Sequence, residues 1–439
     1  MYLTNKVKFV IDKLSKAGFE SYIVGGAVRD ALRGEKPHDY DICTQAEPNQ
    51  IKSVFSNEKT VDTGIMHGTV TVLVQNTPFE ITTFRSESGY SDSRHPDKVM
   101  FVKSLNKDLA RRDFTINAMA YSEDKGVIDL FGGKDDIKNG ILRTVGNPDD
   151  RFKEDALRIM RGLRMASELG FTFDVETKNS IFKNANLLLN ISSERILSEL
   201  MRLLCGRYVG RVLREFVDVL GVVLPEILPM KNLDQRNQHH MYDVLEHSIR
   251  VVENVPADYI LRFSALYHDT GKPEQMTIDE NGVGHFYGHP KYSAIHADER
   301  CNQLRMSNKY KDEIVFLVEK HDITLAAEPH VIRKKILKYG EQSFRNLLKI
   351  KKADCIGKGK HQEYISFLQK IEKVLNDVLN ENPPMSVKDL NINGYDLIEL
   401  GFKGKQIGDI LKKLLDYIIK YPDKNTKAHL TKLAKEEST

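Results

Sequence analysis

The sequence predicts a mixed α+β domain followed by a long all-helical region. β-rich segments stand at residues 69–74 and 79–84, whereas helical patterns follow one another from about residue 149 onward. Proline clusters near residues 225–229 and 382–384 indicate boundaries within the helical region. We therefore predict an α+β head at residues 1–146, a helical neck at 147–228, a helical body at 229–384 and a helical tail at 385–439.

The composition is that of an ordinary globular protein. Of the 439 residues, 41% are hydrophobic and 29% are charged, and the formal net charge is +3. The sequence has no apolar run of about 20 residues and no apolar signal core, so we expect a cytoplasmic protein without a membrane span. Its four cysteines form no CxxC pair, which disfavours a zinc ribbon and fits reduced thiols. We expect no obligate protein partner.

The elements of the head follow from local patterns. Residues 3–16 place Val7, Val10 and Leu14 at helical spacing, which predicts a helix. β-rich runs predict strands at residues 21–24, 39–42, 69–74 and 79–84. A turn is predicted at residues 76–78. The head is therefore expected to contain a small mixed sheet.

The rest of the chain is predicted to be helical. Residues 151–169 form one long predicted helix, which Gly170 would end as a C-cap residue. Another helix is predicted to begin at Ser192 or Ser193. In the tail, one face of an amphipathic helix holds Ile407, Ile410, Leu411, Leu414 and Ile418.

The motif GGAVRD at residues 25–30 indicates a phosphate site. Gly25 and Gly26 follow a predicted strand, and their lack of a side chain lets the backbone approach a ligand closely. The amides at the start of the following helix suit a triphosphate, and Arg29 adds a bidentate phosphate contact.

The motif DYD at residues 39–41 indicates a metal site nearby. Asp39 and Asp41 are two residues apart, so in a strand their side chains share one face. Neighbouring carboxylates repel each other, and Mg²⁺ would remove that repulsion while binding substrate phosphates. Glu80, on a following strand, is a candidate third carboxylate. Each motif alone is common on ordinary surfaces, but together with Arg29 they favour nucleotidyl transfer.

The motifs resemble those of the class II tRNA nucleotidyltransferase and bacterial poly(A) polymerase family. Besides GGAVRD and DYD, the chain contains in the family's order the segments RRDFTINAMA at 111–120, DLFGG at 129–133 with RTVG at 143–146, RFKEDALRIMRGLRMASELGF at 151–171, and SSERILSELMRLL at 192–204. The resemblance covers about the first half of the chain.

The resemblance implies a fold and a set of site residues. The fold would be a catalytic head of the polymerase-beta nucleotidyltransferase type, followed by helical neck, body and tail. Asp39 and Asp41 would bind magnesium. The nucleotide would be contacted by Gly26, Arg29, Arg112, Asp155, Arg158, Arg161 and Arg164.

Asp155 and Arg158 are the predicted base-reading pair. Cytosine and adenine both present an amino donor beside a ring-nitrogen acceptor, so Asp155 would accept and Arg158 would donate. Guanine and uracil present a carbonyl where the amino group should be, which leaves a carboxylate unpaired. The alternative is a surface helix with ion pairs between residues three apart.

Three kinds of relative share such a head: complete CCA-adding enzymes, partial CC- or A-adding enzymes, and poly(A) polymerases. Residues 85–97, ending in Arg94-His95-Pro96-Asp97, resemble the family's full-length flexible loop, which is typically shortened in CC-only enzymes. Residues 63–69, TGIMHGT, resemble CCA-adding enzymes rather than poly(A) polymerases. We therefore predict addition of C, C and A to the tRNA 3′ end from CTP and ATP, with A-only addition left open.

Histidines of the second half form another candidate site. HDTGK at 268–272 resembles the HD phosphohydrolase signature, and the candidate metal ligands are His247, His268, Asp269, His289 and His321. Imidazole with carboxylate suits manganese, nickel, iron or zinc. Such a site could remove a cyclic or terminal phosphate from a damaged RNA end. The alternatives are a helical body that packs and binds RNA without hydrolysis, or an HD hydrolase with an idle transferase head.

The tail offers a candidate RNA contact. Residues 401–405, GFKGK, combine free backbone amides with lysine charge before the amphipathic helix. Such a segment would meet a tRNA backbone electrostatically. A solvated basic surface is the alternative.

Overall fold

The computed structural model describes residues 1, 3–37, 39–88, 98–236, 241–359, 362–381 and 383–437. The chain divides into two units. The first comprises Met1–Leu228 with Gln303–Arg305, and the second comprises Pro229–Asn302 with Met306–Thr439. Residues 89–97 of the predicted loop and Asn382 of a predicted boundary lie outside the described residues.

The first unit alternates helices and strands up to residue 142 and is mainly helical after it. Its strands are β1 (Ser21–Val24), β2 (Asp41–Thr44), β3 (Lys59–Gly64), β4 (Thr69–Val74), β5 (Thr77–Thr83), β6 (Arg85–Ser88), β7 (Lys98–Phe101), β8 (Met119–Ser122), β9 (Gly126–Asp129), β10 (Ile141–Leu142) and β11 (Thr172–Phe173). Its helices are α1 (Asn5–Lys16), α2 (Gly26–Leu32), α3 (Pro48–Val54), α4 (Leu105–Ala110), α5 (Gly133–Asn139), α6 (Pro148–Glu154), α7 (Leu157–Leu169), α8 (Val175–Asn184), α9 (Ser193–Cys205), α10 (Val209–Glu215) and α11 (Val217–Leu220).

Seven strands form one mixed sheet, in the order β3-β4-β5-β2-β1-β8-β9. β2 and β5 are parallel, and the other neighbours are antiparallel. The pattern of β4 alternates, with Val70, Val72 and Val74 buried, as expected for a strand with one covered face. The predicted mixed sheet is confirmed.

Apolar side chains cover both faces of this sheet. On one face, Val7, Val10 and Leu14 of α1 pack in the same core as Ile42 and Ile81. Thr4 caps α1 by accepting a hydrogen bond from the Val7 amide. The other face has a smaller core, made of Tyr22, Val24, Cys43, Phe84, Leu109 and Ala120. The sheet is therefore fixed from both sides, and its strand ends are held in place.

The prediction of a single helix over residues 151–169 was wrong at residues 155 and 156. The chain forms α6 and α7 instead, and Asp155 between them has extended backbone, with φ −147° and ψ 102°. The Asp155 carboxylate accepts a hydrogen bond from the Leu157 amide at 3.1 Å, so it acts as a cap for the new helix. Gly170 ends α7 in the left-handed conformation, as predicted.

A glycine permits the close packing of α7 on the head. A Cβ atom at Gly162 would lie 2.8 Å from Phe114 and 3.0 Å from Phe173. Any larger residue would push the helix away from these rings. The position of α7 relative to the residues around Phe114 therefore depends on this close approach.

Within the residues described for it, the second unit is helical apart from one short hairpin. Its elements are α12 (Val244–Asn254), α13 (Tyr259–Tyr267), α14 (Lys272–Gln275), β12 (Thr277–Ile278), β13 (Gly284–His285), α15 (His289–Gln303), α16 (Asn308–Lys320), α17 (Pro329–Tyr339), α18 (Glu341–Gly357), α19 (Gln362–Asn380), α20 (Gly394–Glu399), α21 (Lys405–Lys420) and α22 (Lys427–Glu436). The predicted amphipathic tail helix is confirmed as α21, which buries Ile410, Leu414 and Ile418 in a core shared with α22.

Among the helices that the structure describes, none is both long and apolar enough to cross a membrane.

Candidate active site

A polar cleft of about 810 Å³ lies in the first unit, between residues at the ends of the central strands β1 and β2 and residues of α7 and α9. Nine arginines and six carboxylates line it. They are Arg29, Arg85, Arg111, Arg112, Arg158, Arg161, Arg164, Arg195 and Arg202, with Asp30, Asp39, Asp41, Asp113, Asp155 and Glu168. This excess of positive charge in a concave site favours a polyanionic ligand.

The Gly25–Gly26 turn forms one wall of the cleft. Gly25 has φ +70°, a conformation that glycine adopts without strain. A Cβ atom there would lie 3.3 Å from Arg112 Nη1 and 3.8 Å from Asp41 Oδ2. The turn thus leaves room for the arginine and the carboxylate to approach each other, and α2 begins directly after it.

Asp39 and Asp41 both line the cleft and reach solvent. Asp41 is the first residue of β2, opposite Val24, whereas Asp39 precedes the strand that was predicted to include it. Loss of surrounding water raises the pKa of Asp41, Arg112 opposes that rise, and the charge of Asp39 adds to it. A divalent cation would relieve both unfavourable effects, so the pair fits the magnesium site that the motif predicts.

Glu80 lies on the same face of the sheet as Asp41. β2 and β5 are parallel with Ile42 opposite Ile81, so the residues before them, Asp41 and Glu80, project to the opposite side together. Glu80 is exposed and is not among the residues that line the cleft. Its role as a third carboxylate stays a prediction.

Asp108, buried on α4, positions two cleft arginines. One carboxylate oxygen accepts hydrogen bonds from Arg111 at 2.8 and 3.0 Å, and the other accepts one from Arg112 at 3.3 Å. Burial raises the pKa of Asp108, but the two arginines more than offset this and hold the pKa below its usual value. The predicted nucleotide ligand Arg112 is therefore held by a residue that the sequence analysis did not identify.

Asp113 and Asn117 connect the two sides of the cleft. Asp113 Oδ2 accepts hydrogen bonds from Arg161 of α7 at 2.8 Å, and its Oδ1 accepts from the Phe114 amide and from Asn117. Asn117 Oδ1 accepts from Arg29 Nη1 at 2.8 Å. Burial raises the pKa of Asp113, yet Arg161 outweighs it and lowers the pKa to about 2.

The base-reading pair makes contacts that sequence spacing did not predict. Both Asp155 oxygens accept hydrogen bonds from Arg195 of α9, at 3.3 and 2.7 Å. Arg158 is buried and donates to Glu154 and to the Arg151 carbonyl oxygen. Because Asp155 interrupts the helix, the two residues are not neighbours on one helix face, although both line the cleft.

Arg161 and Arg164 continue the basic wall on α7. Glu199 of α9 lies 2.9 Å from Arg164 Nε and 3.9 Å from Arg161 Nη1. Arg164 is buried, and this burial lowers its pKa from the usual value. All seven predicted nucleotide-binding residues thus line one cleft, together with Asp39 and Asp41.

A second cluster of metal-ligand side chains lies in the second unit. His247, His268 and Asp354 form one group, and Asp269, His289 and His321 form another. The Nε2 atoms of His247 and His268 are 3.2 Å apart. The five predicted ligands are therefore close together, and Asp354 of α18 is an addition that only the fold reveals.

Asp269 joins the two groups. Its Oδ2 lies 3.2 Å from His268 Nε2 and 3.6 Å from His247 Nε2. Its Oδ1 lies 3.2 Å from His289 Nε2 and 3.8 Å from His321 Nε2. One carboxylate therefore faces four imidazoles, with one oxygen toward each group.

Backbone carbonyl groups orient three of these imidazoles. The Nδ1 atoms of His268, His289 and His321 lie 2.7–2.8 Å from the carbonyl oxygens of Ala265, Phe286 and Val318. A carbonyl oxygen only accepts, so each Nδ1 is the donor and each Nε2 keeps a lone pair for a cation. Burial holds the pKa of His321 well below its usual range, so that its ring stays neutral. This donor set fits a transition metal.

Comparison with known proteins gives three family matches. Residues 21–143 match the poly A polymerase head domain, residues 170–230 match the probable RNA and SrmB-binding site of polymerase A, and residues 238–357 match the HD domain. The predicted resemblance and the predicted series of head, helical neck and HD-like body are thereby confirmed.

Relatives with known names support the same relationship. A CCA-adding enzyme of Lactobacillus delbrueckii subsp. bulgaricus is 34% identical over 95% of this chain and 94% of its own length. Another, of Ligilactobacillus salivarius, is 54% identical over 48% of this chain and 51% of its own length. The chain thus aligns with only about half of the latter relative, but with nearly all of the former.

Solved structures share the fold. A CCA-adding enzyme of Bacillus stearothermophilus in complex with CTP has a TM-score of 0.74 at 28% identity, covering 99% of this chain and 97% of that one. A Thermotoga maritima CCA-adding enzyme complexed with tRNA has a TM-score of 0.59 at 19% identity, covering 100% and 97%, and shows likeness of fold alone.

The first prediction concerns Asp113. Its folded-state pKa of about 2 lies below the ordinary 3.8, so the ionised carboxylate stabilises the fold fully above about pH 5. That contribution is lost as the pH falls from about 4 through about 2. We expect Asp113→Asn to lower the free energy of unfolding by about 2 kcal/mol at pH 7, and by less at pH 3.5.

Urea unfolding at pH 7, 5 and 3.5 measures this difference. Asp135→Asn, on an exposed residue of α5, is the matched control and should leave stability within about 0.5 kcal/mol. If the difference in free energy of unfolding between the native chain and Asp113→Asn is as large at pH 3.5 as at pH 7, the ion pair with Arg161 does not account for it.

Proposed function

The chain belongs to the family of CCA-adding enzymes, and we propose on that premise that it adds C, C and A to the 3′ end of tRNA from CTP and ATP. The observation that supports this most directly is the cleft of the first unit. It holds a carboxylate pair, a set of arginines and the predicted base-reading residues within one cavity.

In the proposed reaction, the tRNA 3′-hydroxyl oxygen forms a bond to the α-phosphorus of the nucleotide. The bond from that phosphorus to the bridging oxygen breaks, pyrophosphate leaves, and the hydroxyl proton passes to solvent. Magnesium held by Asp39 and Asp41 would supply the Lewis acid, and Glu80 is the candidate third carboxylate. Gly26, Arg29 and Arg112 hold the phosphates, so catalysis rests on positioning and charge neutralisation.

The choice of nucleotide is assigned to Asp155 and Arg158. Asp155 accepts from the amino group of cytosine or adenine, and Arg158 donates to the adjacent ring nitrogen. Arg195 and Glu154 position the two groups, since they hold the Asp155 carboxylate and the Arg158 guanidinium. Arg161 and Arg164 extend the basic wall toward the triphosphate or the primer backbone.

The wider assignments rest on the same premise. We divide the chain into a head at 1–146, a neck at 147–228, a body at 229–384 and a tail at 385–439, the tail contacting the tRNA backbone. We place the protein in the cytoplasm, which is supported by four free cysteines. A-only addition and poly(A) synthesis are the competing activities.

A gel assay separates these activities. The chain is given tRNA lacking CCA, tRNA ending in CC and an unrelated RNA, with each nucleotide singly and with CTP plus ATP. Three nucleotides added to the first substrate support CCA addition. Addition only to the CC-ended tRNA would mean an A-adding enzyme, and long tails on any RNA would mean a poly(A) polymerase.

The second prediction is that Asp39→Ala abolishes nucleotide addition, with a loss of at least roughly 10²- to 10³-fold, because a carboxylate that holds the metal is removed. The gel assay measures the rate. Asp135→Ala, an exposed aspartate outside the cleft, should keep native activity. Full activity of Asp39→Ala at an unchanged unfolding midpoint would show that the metal assignment is wrong.

The third prediction concerns the base. Asp155→Ala should raise the incorporation of UTP and GTP relative to CTP and ATP by roughly 10-fold or more, because the unpaired-carboxylate penalty disappears. Glu176→Ala, an exposed carboxylate outside the cleft, is the control. If discrimination stays native in Asp155→Ala, the base-reading role belongs to other residues.

The histidine cluster supports a second function, a metal-dependent phosphohydrolase. Water would add to the phosphorus of a 2′,3′-cyclic phosphate, and one of its two ester P–O bonds would break to leave a monoester and a hydroxyl group. His247, His268 and Asp354 would hold one metal ion, and Asp269, His289 and His321 would hold another. The specific observation in favour is the shared orientation of the imidazole Nε2 atoms toward Asp269.

The fourth prediction is that the chain retains about two Mn²⁺ ions after loading and desalting, one for each ligand group. His268→Ala and Asp354→Ala should each lower the retained metal and the hydrolysis of adenosine 2′,3′-cyclic phosphate, while CCA addition continues. Elemental analysis measures the metal. His330→Ala, on α17, is the control outside the cluster. Undiminished metal in both ligand variants would refute the site.

A further inference from the structure

We propose that Tyr287 is a nucleobase platform for the histidine centre, so that this centre takes a nucleotide in preference to a small phosphate ester. The inference rests on the proposed phosphohydrolase function and adds the residue that would bind the base of the substrate. Tyr287 belongs to the segment that connects β13 to α15, two residues before the ligand His289.

A cavity of about 300 Å³ joins the aromatic segment to the metal ligands. Its lining includes Asp269, His321 and Asp354 from the centre, and His285 and Tyr287 from the segment. One end of the cavity is therefore suited to a phosphoryl group, and the other end offers flat aromatic rings. A nucleotide has the same division between phosphate and base.

Two lysines add positive charge at the metal end. Lys272 is buried, and its ammonium lies 2.7 Å from Asp269 Oδ2. Lys358 lies 2.7 Å from Asp354 Oδ2. Both lysines line the cavity, so an anionic group that reached the metals would also meet two ammonium groups.

Tyr287 presents an aromatic face to solvent. Its ring stacks on His285 with centroids 5.3 Å apart and an angle of 6° between the planes. The residue is nevertheless 76% exposed. Since His285 covers one face only, the other is accessible to a third ring stacked in parallel, as an adenine or cytosine would be.

The stack is held in place rather than resting on a loose loop. His285 Nε2 lies 2.9 Å from Asp279 Oδ2 across the β12–β13 hairpin. Gly284 donates its amide to the Arg236 carbonyl oxygen, and a Cβ atom there would lie 2.4 Å from the Gln235 carbonyl oxygen. Gln235 in turn accepts from Lys272 at 2.8 Å. The platform and the metal end are thus connected by direct contacts.

The spacing suits one nucleotide. Tyr287 and His289 are two residues apart, so their Cα atoms are at most about 7 Å apart. The Phe286 carbonyl oxygen accepts from His289 Nδ1, which turns His289 Nε2 toward Asp269. The backbone positions of the platform and of this metal ligand are therefore close enough to be bridged by one nucleotide.

The fifth prediction tests this with two cyclic phosphodiesters, one with a base and one without. Base–aromatic stacking is worth about 1–3 kcal/mol, so Tyr287→Ala should raise KM for adenosine 2′,3′-cyclic phosphate roughly 5- to 100-fold. The kcat should stay native, and both constants for glycerol 1,2-cyclic phosphate should be unchanged. Tyr287→Phe should behave as the native chain. Tyr395→Ala, which removes an exposed tyrosine of the tail, is the control.

Binding is measured beside turnover, by calorimetry with adenosine 2′-monophosphate and with glycerol 2-phosphate while saturating CTP occupies the other cleft. The platform is overturned if the chain hydrolyses both substrates and Tyr287→Ala leaves KM for the adenosine substrate unchanged. It is also overturned if Tyr287→Ala raises KM equally for both substrates. If neither substrate is hydrolysed but the chain binds the nucleotide more tightly than glycerol 2-phosphate, and this preference is lost in Tyr287→Ala, the platform is supported and the hydrolase is refuted. If there is neither hydrolysis nor such a binding preference, both are refuted.

Discussion

The carboxylate of Asp113 accepts hydrogen bonds from Arg161 on α7 and from Asn117, and Asn117 in turn accepts from Arg29 on α2. This short chain of contacts joins the helix after the glycine turn to the helix that forms the opposite wall. A buried carboxylate is costly unless its partners are complete, so the geometry around Asp113 tolerates little change. The packing of Gly162 against Phe114, the next residue, holds the same junction from the apolar side.

The sequence predicted residues that form regular elements or stand in compact motifs. The strand at 69–74 and the helix at 405–420 were accessible because their apolar residues follow the period of one element. The interruption at Asp155 could not be predicted, because the helical pattern of the sequence continues across it. The break is visible only in the structure, as extended backbone at Asp155 and a hydrogen bond from the Leu157 amide to its carboxylate. Asp108, Arg195, Glu199 and Asp354 were missed for another reason. Each acts on a partner from a different segment, and such pairing depends on tertiary contact.

The two candidate centres differ in the chemistry of their donors. Asp39 and Asp41 are exposed oxygen donors on a strand end, which suits a hard cation that enters with its substrate. His247, His268 and His321 are buried nitrogen donors held by backbone carbonyls and carboxylates, which suits a resident transition metal. The two centres therefore differ in the kind of cation that each would hold.

The pairing of Asp155 with Arg195, and of Arg158 with Glu154, has a consequence for fidelity. A protein without a nucleic acid template has to supply its own reference for what counts as a match. In the proposed role, that reference is the geometry of the Asp155 carboxylate and the Arg158 guanidinium, which Arg195 and Glu154 hold in place. A base with its amino group and ring nitrogen in matching places would be accepted, whereas a base with misplaced groups would leave a charge unmatched. On that proposal, fixed side chains of the protein would do the work that a template strand does in other polymerases.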